Sequence, residues 1–379
     1  MSREIPFNRP FIVGKELTYI SEAVAGGHLA GNGRFTKLCQ EWLERTTGSR
    51  KAMLTHSCTG ALEMAAILAG IKPGDQVIVP SYGFVTTANA FVLRGADIRF
   101  VDIREDTLNV DERLIEKAVT NRTRAIVPIH YAGVACEINA IMAIAERHGL
   151  VVVEDAAQAV DAGCGGRHLG AIGHFGTFSF HETKNFISGE GGALLVNDDR
   201  FIERAEIIWE KGTDREKFLR GEVDKYTWVD IGSSFLPSEL VAAFLYAQLE
   251  ETETITRKRR YIFDFYFQHL ADLEAAGCLR RPVISATSDH NAHMFFVLLN
   301  DEPSRAKLIK HLAADGIQAV FHYIPLHLSP MGRQFGYKPG DLPVTEDLAA
   351  RVLRLPCFFE LATADQERIV ASLYRFFDM

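Results

Sequence analysis

The sequence predicts an α/β fold, with a large domain built on a mostly parallel sheet and a small C-terminal α+β domain. Between residues 50 and 200, short β-branched runs alternate with stretches whose apolar residues recur at helical spacing. A long helical pattern at 237–277 then leads away from the sheet without a sustained heptad. The remainder mixes strands and helices, so we place the large domain at 1–245 and the small domain at 246–379.

The large domain contains seven predicted strands. Five strand patterns alternate with helical patterns, and they lie at 54–57, 76–82, 98–103, 124–130 and 150–156. One of the predicted helices starts at 58, and the others lie near 88–95, 111–119 and 137–148. Two more strands, at 175–181 and 191–197, are close in sequence and are expected to meet around an irregular turn. Because ligands of such sheets bind beyond the carboxyl ends of the strands, we expect the functional residues at this edge.

The small domain is predicted to contain a strand at 293–299, a helix near 303–315, a second strand at 317–323 and terminal helices. No internal repeat divides it further.

Composition limits the classes of function. The 379 residues carry 41 Lys and Arg against 49 Asp and Glu, a net charge of −8, which disfavours nonspecific nucleic-acid binding. No apolar run approaches the roughly 20 residues that span a bilayer, and the first ten residues lack the apolar stretch of a signal peptide. The six scattered cysteines include no CxxC pair and are expected to be reduced thiols. We therefore predict a cytoplasmic protein without nucleic-acid or membrane partners.

The first candidate site is a strand-to-helix junction at 55–60. Backbone N–H groups at a helix start, together with the hydroxyls of Ser57 and Thr59 around Cys58, are suited to holding a phosphate. The alternative is that Ser57 or Thr59 only caps the helix.

Two further candidates follow predicted strands. Phe84 could stack on a flat ring, although an aromatic residue there could equally belong to the core. Asp155, which ends the most hydrophobic strand, could hold a proton on a ring nitrogen, with Gln158 close behind it. The alternative for Asp155 is an N-cap of the next helix.

A lysine in a glycine-flanked turn is the candidate nucleophile. Lys184 lies between two predicted strands, and burial would lower its pKa and allow it to form a Schiff base. Ser179, on the preceding strand, could reach the same phosphate. The run HETKN resembles a zinc-binding HExxH motif, but its fifth residue is Asn185 and no helix is indicated, so we expect no metal.

Histidines in the small domain could contact a polyhydroxylated substrate. They are His293 in NAH and His322 and His327 in the run HYIPLH, which also contains Tyr323. A structural role is an open alternative for each of them.

In their order and spacing these residues resemble the DegT/DnrJ/StrS sugar aminotransferases, which belong to fold type I of the enzymes that use pyridoxal 5′-phosphate (PLP). The likeness runs along nearly the whole chain, through IPFNRP, HYAGVACE, VEDAAQ, FSFHETKN and AVFHYIPLH. It implies that Lys184 carries PLP and shuttles the proton during transfer. It also implies that Asp155 pairs with the ring nitrogen, that Gln158 lies on the side of the ring oxygen and that Phe84 stacks on the ring. The phosphate would be held by Ser57, Cys58, Thr59 and Ser179.

The resemblance also implies the substrates. The amino donor would be L-glutamate and the acceptor dTDP-4-keto-6-deoxyglucose, aminated at C4 to dTDP-4-amino-4,6-dideoxygalactose for a surface polysaccharide. The enzyme would be a homodimer with shared active sites. Many relatives contact the neighbour's cofactor through a GxNxR stretch, which here reads Gly232-Ser233-Ser234-Phe235-Leu236. A contact of that kind would therefore come from elsewhere, such as Arg220 or Lys225.

Three alternatives remain at this point. These motifs barely distinguish amination at C3 of the sugar from amination at C4. A related branch dehydrates keto sugars but replaces the lysine with histidine, so Lys184 argues against it. A protein that senses without turnover would not need that lysine.

Overall fold

The computed structural model describes residues 4–379. Its strands, numbered along the chain, are β1 (Lys51–Thr55), β2 (Gln76–Pro80), β3 (Asp97–Val101), β4 (Thr123–Ile126), β5 (Val151–Asp155), β6 (Gly163–Cys164), β7 (Arg167–His168), β8 (Phe175–Ser179), β9 (Gly192–Val196), β10 (Ser288–Asp289), β11 (Phe295–Leu298) and β12 (Val352–Leu355).

The α-helices are α1 (Glu16–Ala25), α2 (Arg34–Thr47), α3 (Cys58–Leu68), α4 (Val85–Val92), α5 (Glu112–Ala118), α6 (Ile138–His148), α7 (Ile202–Trp209), α8 (Arg215–Leu219), α9 (Glu239–Glu250), α10 (Thr252–His269), α11 (Ala271–Ala275), α12 (Glu302–Ala314), α13 (Pro343–Arg351) and α14 (Thr363–Phe376). Within residues 4–379, none of them has the length and hydropathy required to cross a membrane.

Seven strands form the central sheet, in the order β1-β9-β8-β5-β4-β2-β3. Neighbouring strands from β8 through β3 are parallel, whereas β9 runs antiparallel to both β8 and β1. The α/β class and the mostly parallel sheet are therefore confirmed. Residues 180–191, which connect β8 to β9, contain no helix, whereas a parallel crossover usually contains one, and the two strands meet antiparallel.

Both faces of this sheet are covered by helices. Successive side chains of a strand point to opposite faces, and Val152 packs in the layer of α2, α6 and α9 while Val153 packs in the layer of α3 and α4. A strand that is buried on both faces has a continuous apolar sequence. The run VVV in β5 therefore predicts a buried strand clearly.

The C-terminal part has its own apolar core around the antiparallel pair β11–β12, covered by α10, α12 and α14. The strand predicted at 317–323 is wrong: only Ile317 and Val320 form isolated bridges, to Ile5 and Arg354. The chain leaves the sheet after Val320 because Leu326 donates its N–H to the Ser81 carbonyl of the large domain, 2.8 Å away. The partner of β11 is β12, which the sequence did not reveal.

The long helical pattern at 237–277 is broken into α9, α10 and α11. Leu249 and Ile255, on either side of the first break, still belong to the core of the central sheet. The division at residue 245 stays a prediction.

An N-terminal segment pairs with the C-terminal part of the chain, although the prediction assigns residues 1–245 to the large domain. The N–H of Ile5 donates to Gly316 O at 2.9 Å, and Gln318 N–H donates to Ile5 O at 3.0 Å. The residues that follow, Phe7 and Asn8, reach the cavity described next.

Candidate active site

A cavity of about 820 Å³ opens between the carboxyl ends of the central strands and the small domain. Eleven of the residues singled out from the sequence line it: Ser57, Cys58, Thr59, Phe84, Asp155, Gln158, Ser179, Lys184, His293, His322 and Tyr323. The sheet supplies the floor, and residues 320–323 with Arg354 supply the wall contributed by the small domain.

The junction at 55–60 is a helix start facing this cavity. Ser57 caps α3 by accepting the N–H of Gly60 at 3.0 Å, so the capping role is real. Capping does not exclude anion binding, since the first N–H groups of a helix have no partner inside it and carry the positive end of its dipole. β9 passes directly beneath, because a Cβ on Gly192 would lie 2.4 Å from Cys58 N. Only glycine allows this approach.

Asp155 ends β5 at the floor of the cavity and is buried. Thr87 Oγ1 donates to its Oδ2 at 2.5 Å, and Ala157 N–H donates to its Oδ1 at 3.2 Å. Both partners are neutral, and a carboxylate has about four acceptor positions. Asp155 can therefore still accept a hydrogen bond from a protonated, positively charged nitrogen. The N-cap alternative is wrong, because turns rather than a helix follow Asp155.

Glu154 points away from Asp155 and holds the end of β5 in place. It is fully buried and accepts hydrogen bonds from His130 at 2.8 Å and from the N–H groups of Gly170, Ile172 and Gly173. Burial raises the pKa of Glu154, but the bond and charge of His130, together with the bonds from Gly173 and Gly170, outweigh burial and leave that pKa below its usual value. Burial lowers the pKa of His130, but contacts with Cys136 and Glu154 raise it to about 10.

Lys184 occupies the predicted irregular turn. The turn is closed by backbone bonds from Lys184 N–H to His181 O at 2.9 Å and from Glu182 N–H to Gly189 O at 2.9 Å. Burial lowers the pKa of Lys184; the charge of Asp155 acts in the opposite direction and that of Arg354 reinforces the decrease. Among residues 4–379, no carboxylate lies within 4.0 Å of its Nζ. This is the environment of a nucleophilic amine.

His293 is oriented by a neighbour of the lysine. Asn185 Nδ2 donates to Asn291 O at 3.0 Å, so Asn185 Oδ1 is the atom that faces His293 Nδ1, at 3.0 Å. Burial is the main cause that lowers the pKa of His293 well below its usual value, and the nearby charge of Lys184 adds to the decrease. The neutral ring therefore carries its hydrogen on Nδ1 and leaves the Nε2 lone pair as an acceptor.

An aromatic wall stands opposite. Gln158 Oε1 accepts the N–H of Ala132 at 2.7 Å, and its Nε2 donates to the hydroxyl of Tyr323 at 2.9 Å. The Tyr323 oxygen is then an acceptor, which leaves its own hydrogen to donate. The His322 ring stacks on Tyr323 with centroids 3.6 Å apart, and its Nδ1 contacts the hydroxyl of Tyr131 at 2.8 Å.

Three of the predicted site residues lie elsewhere. His327 does not line the cavity: it is fully buried, with Nδ1 2.6 Å from Ser81 Oγ and Nε2 3.0 Å from Glu346, so its expected substrate contact is wrong and its role is structural. Arg220 forms ion pairs with Glu206 and Glu222 outside the cavity, and Lys225 is exposed. Their expected contact with a second subunit stays a prediction.

Arg354 is a charged cavity residue that the sequence patterns above do not single out. The signal was present, because a lone arginine interrupts the apolar strand VLRL of β12. A charge within an otherwise buried strand needs a partner, and this requirement could have marked Arg354 as a site residue.

The cavity residues fit PLP. A helix start with two hydroxyls suits a phosphate, a buried carboxylate with spare acceptor positions suits a pyridinium nitrogen, and a desolvated amine suits the aldehyde carbon.

A family model described as the DegT/DnrJ/EryC1/StrS aminotransferase family matches residues 10–374. The chain belongs to this family. Its members are sugar aminotransferases that depend on PLP, so the expected fold type, enzyme class and cofactor are confirmed.

Individual relatives agree with this assignment. The spore coat polysaccharide biosynthesis protein SpsC of Bacillus subtilis is 31% identical over 380 residues, covering 97% of this chain and 96% of its own. The uncharacterized protein MJ1066 of Methanocaldococcus jannaschii is 32% identical over 376 residues, with 97% and 96% covered. The crystal structure of DesV from S. venezuelae, in complex with a ketimine intermediate, superposes with a TM-score of 0.91 at 30% identity and covers all of both chains.

Proposed function

We propose that this aminotransferase acts in the cytoplasm and moves the amino group of L-glutamate to C4 of dTDP-4-keto-6-deoxyglucose. The product would be dTDP-4-amino-4,6-dideoxygalactose, used for a surface polysaccharide. The observation that carries the chemistry is the meeting of Lys184, Asp155 and the start of α3 in one cavity. The named relative SpsC acts in polysaccharide biosynthesis, which supports a glycan pathway. The choice of C4 and of the galacto product comes from the sequence resemblance.

The residues divide the work between binding and proton transfer. When bound, PLP supplies an electron sink that stabilises negative charge on the carbon bearing the amine. Ser57, Cys58 and Thr59 at the start of α3, with the hydroxyl of Ser179, would hold its phosphate, and the Asp155 carboxylate would keep a proton on its ring nitrogen. Lys184 Nζ would hold the cofactor, and as a free amine it would carry a proton between the amine-bearing carbon and the cofactor.

Two neutral polar groups lie on the substrate side of the cavity, beside the charge of Arg354. His293 offers an acceptor at Nε2 and Tyr323 a hydroxyl donor, a pairing suited to sugar hydroxyls. The exposed ring of Phe84 lies 6.4 Å from that of Tyr323 and offers a flat face for the cofactor ring. These residues orient the keto carbon and the ring but add no charge.

We also propose a homodimer. The segment 215–231 leaves six large apolar side chains exposed, with Trp228 79% exposed; the six are Phe218, Leu219, Tyr226, Trp228, Val229 and Ile231. A patch of this kind usually marks an interaction surface. Analytical ultracentrifugation tests it: a monomer at micromolar concentration would contradict the proposal, and Trp228→Ser should weaken a dimer.

An absorbance scan of the PLP-loaded protein tests the reaction. Addition of L-glutamate should remove the visible band of the lysine-bound cofactor, and addition of dTDP-4-keto-6-deoxyglucose should restore it. NMR of the product then distinguishes amination at C4 from C3 and galacto from gluco stereochemistry, and a product that lacks a hydroxyl would indicate dehydration. A band that glutamate leaves unchanged would overturn the proposal.

A further inference from the structure

We infer that Arg354 binds the α-carboxylate of the amino donor, which makes it the donor-recognition residue of the cavity; this inference rests on the proposed function. Arg354 lies on β12, opposite Phe296 of β11. Its backbone also pairs with Val320, through N–H···O distances of 2.8 and 3.1 Å. The residue is therefore fixed between two segments of the small domain, with its side chain at the cavity.

The guanidinium is oriented but only partly used. Its Nε and Nη2 both donate to the Phe321 carbonyl, at 3.3 and 3.0 Å, and its carbon lies 4.7 Å from the centroid of the Phe7 ring. A guanidinium has five N–H donors in one plane, and one carbonyl satisfies only part of them. The remaining donors can form the two parallel bonds that a carboxylate accepts.

The charge of Arg354 has no counterion in the part of the chain that the structure describes. Among residues 4–379, no carboxylate lies within 4.0 Å of its guanidinium, whereas Arg104 and Arg113 have such partners at 2.7 Å. Two carboxylates line the cavity with Arg354. Asp155 is the one that the proposed function assigns to the ring nitrogen of the cofactor, and Glu190 lies beside His181 at the exposed rim. Desolvating a charge without a partner is costly, so an arrangement of this kind favours an anionic ligand.

Two anions enter this cavity under the proposed function, and the position of Arg354 favours one of them. Arg354 and Lys184 line the same cavity. Burial is the main cause that lowers the pKa of Lys184, and the positive charge of Arg354 adds to the decrease, as expected for two groups close to each other. The α-carboxylate of an amino acid is attached to the carbon that carries the amine. The diphosphate of the acceptor is separated from C4 by the sugar ring and so lies farther from Lys184.

The test is a binding measurement. 2-Methyl-L-glutamate has both carboxylates but no α-hydrogen, so it can bind without completing the transfer. Calorimetry with the PLP-loaded protein should show affinity about 10- to 100-fold weaker for Arg354→Gln, as expected for a lost charge-assisted pair. The affinity for dTDP should change less than about threefold. Arg354→Lys, which keeps the charge but not the planar fork, should recover part of the loss.

Arg257→Gln is the matched control, because it removes the same charge from an exposed side chain paired with Glu253; it should change neither affinity. Circular dichroism would show that each variant is folded. Unchanged 2-methyl-L-glutamate affinity in Arg354→Gln, or a loss confined to dTDP, would overturn the inference while leaving the proposed function intact. Failure of the wild-type absorbance to respond to L-glutamate would overturn the proposed function itself.

Discussion

Replacing Glu154 by glutamine should destabilise the protein although the side chain never faces the cavity. The carboxylate has no solvent exposure, and four donors converge on it. Ile172 and Gly173 donate to Oε1 at 2.7 and 2.5 Å, while His130 and Gly170 contact Oε2 at 2.8 and 2.9 Å. In Glu154→Gln one oxygen becomes an NH₂ group, which faces two donors whichever way the amide turns.

The size of the effect follows from this geometry. A buried donor that loses its acceptor costs about 1–3 kcal/mol. A neutral His130 can accept a hydrogen bond from the new NH₂ through its lone pair, which recovers one contact. We therefore expect the free energy of unfolding to decrease by about 2–5 kcal/mol. For a chain of this length, 1 kcal/mol corresponds to roughly 1.2 °C in melting temperature, which gives a decrease of about 2–6 °C.

Differential scanning calorimetry at neutral pH measures this decrease. Glu253→Gln is the matched control, because Glu253 is 90% exposed and its ion pair with Arg257 contributes little, so its melting temperature should change by less than about 1 °C. If Glu154→Gln melts within 1 °C of the wild type, the four bonds do not brace β5 as argued.

Three other predictions concern the site and its support. Lys184→Ala should lose the visible band of bound PLP and all measurable turnover while keeping its circular dichroism; turnover near the wild-type rate would contradict the role given to the lysine. Asp155→Asn should lower kcat by about 100-fold or more, because a neutral amide cannot keep the ring nitrogen protonated; a change below threefold would leave Asp155 only its structural bonds to Thr87 and Ala157. The His130 pKa is raised from 6.5 to about 10 in the folded chain, so its stabilisation is complete below pH 6.5 and is lost as pH rises through 10. The difference in unfolding free energy between wild type and His130→Gln should therefore shrink from pH 6.5 to 10, and a constant difference would contradict the charged pair.

The sequence predicts the floor of the site well because its signals are local. Asp155 follows an apolar run that can only be a buried strand, and Lys184 lies in a turn marked by glycines on one side. Parallel strands bring such residues to one edge, so their meeting follows from the topology alone.

The small-domain wall is predicted less well because long-range contacts decide it. His322 and His327 belong to one run of six residues, yet the first lines the cavity and the second is held by Ser81 and Glu346. Arg354 is 170 positions from Lys184 in sequence, and only pairing of β12 with β11 brings it to the cavity. No local pattern encodes either outcome.

The N-terminal segment has a practical consequence for purification. Ile5 is clamped between Gly316 and Gln318, and Phe7 underlies the guanidinium of Arg354. An affinity tag fused ahead of residue 4 would begin within a few residues of the cavity wall. It could strain the clamp and shift Phe7 in a way that mimics a defect in donor binding. The opposite terminus is the better attachment point, because Met379 is 55% exposed and does not line the cavity.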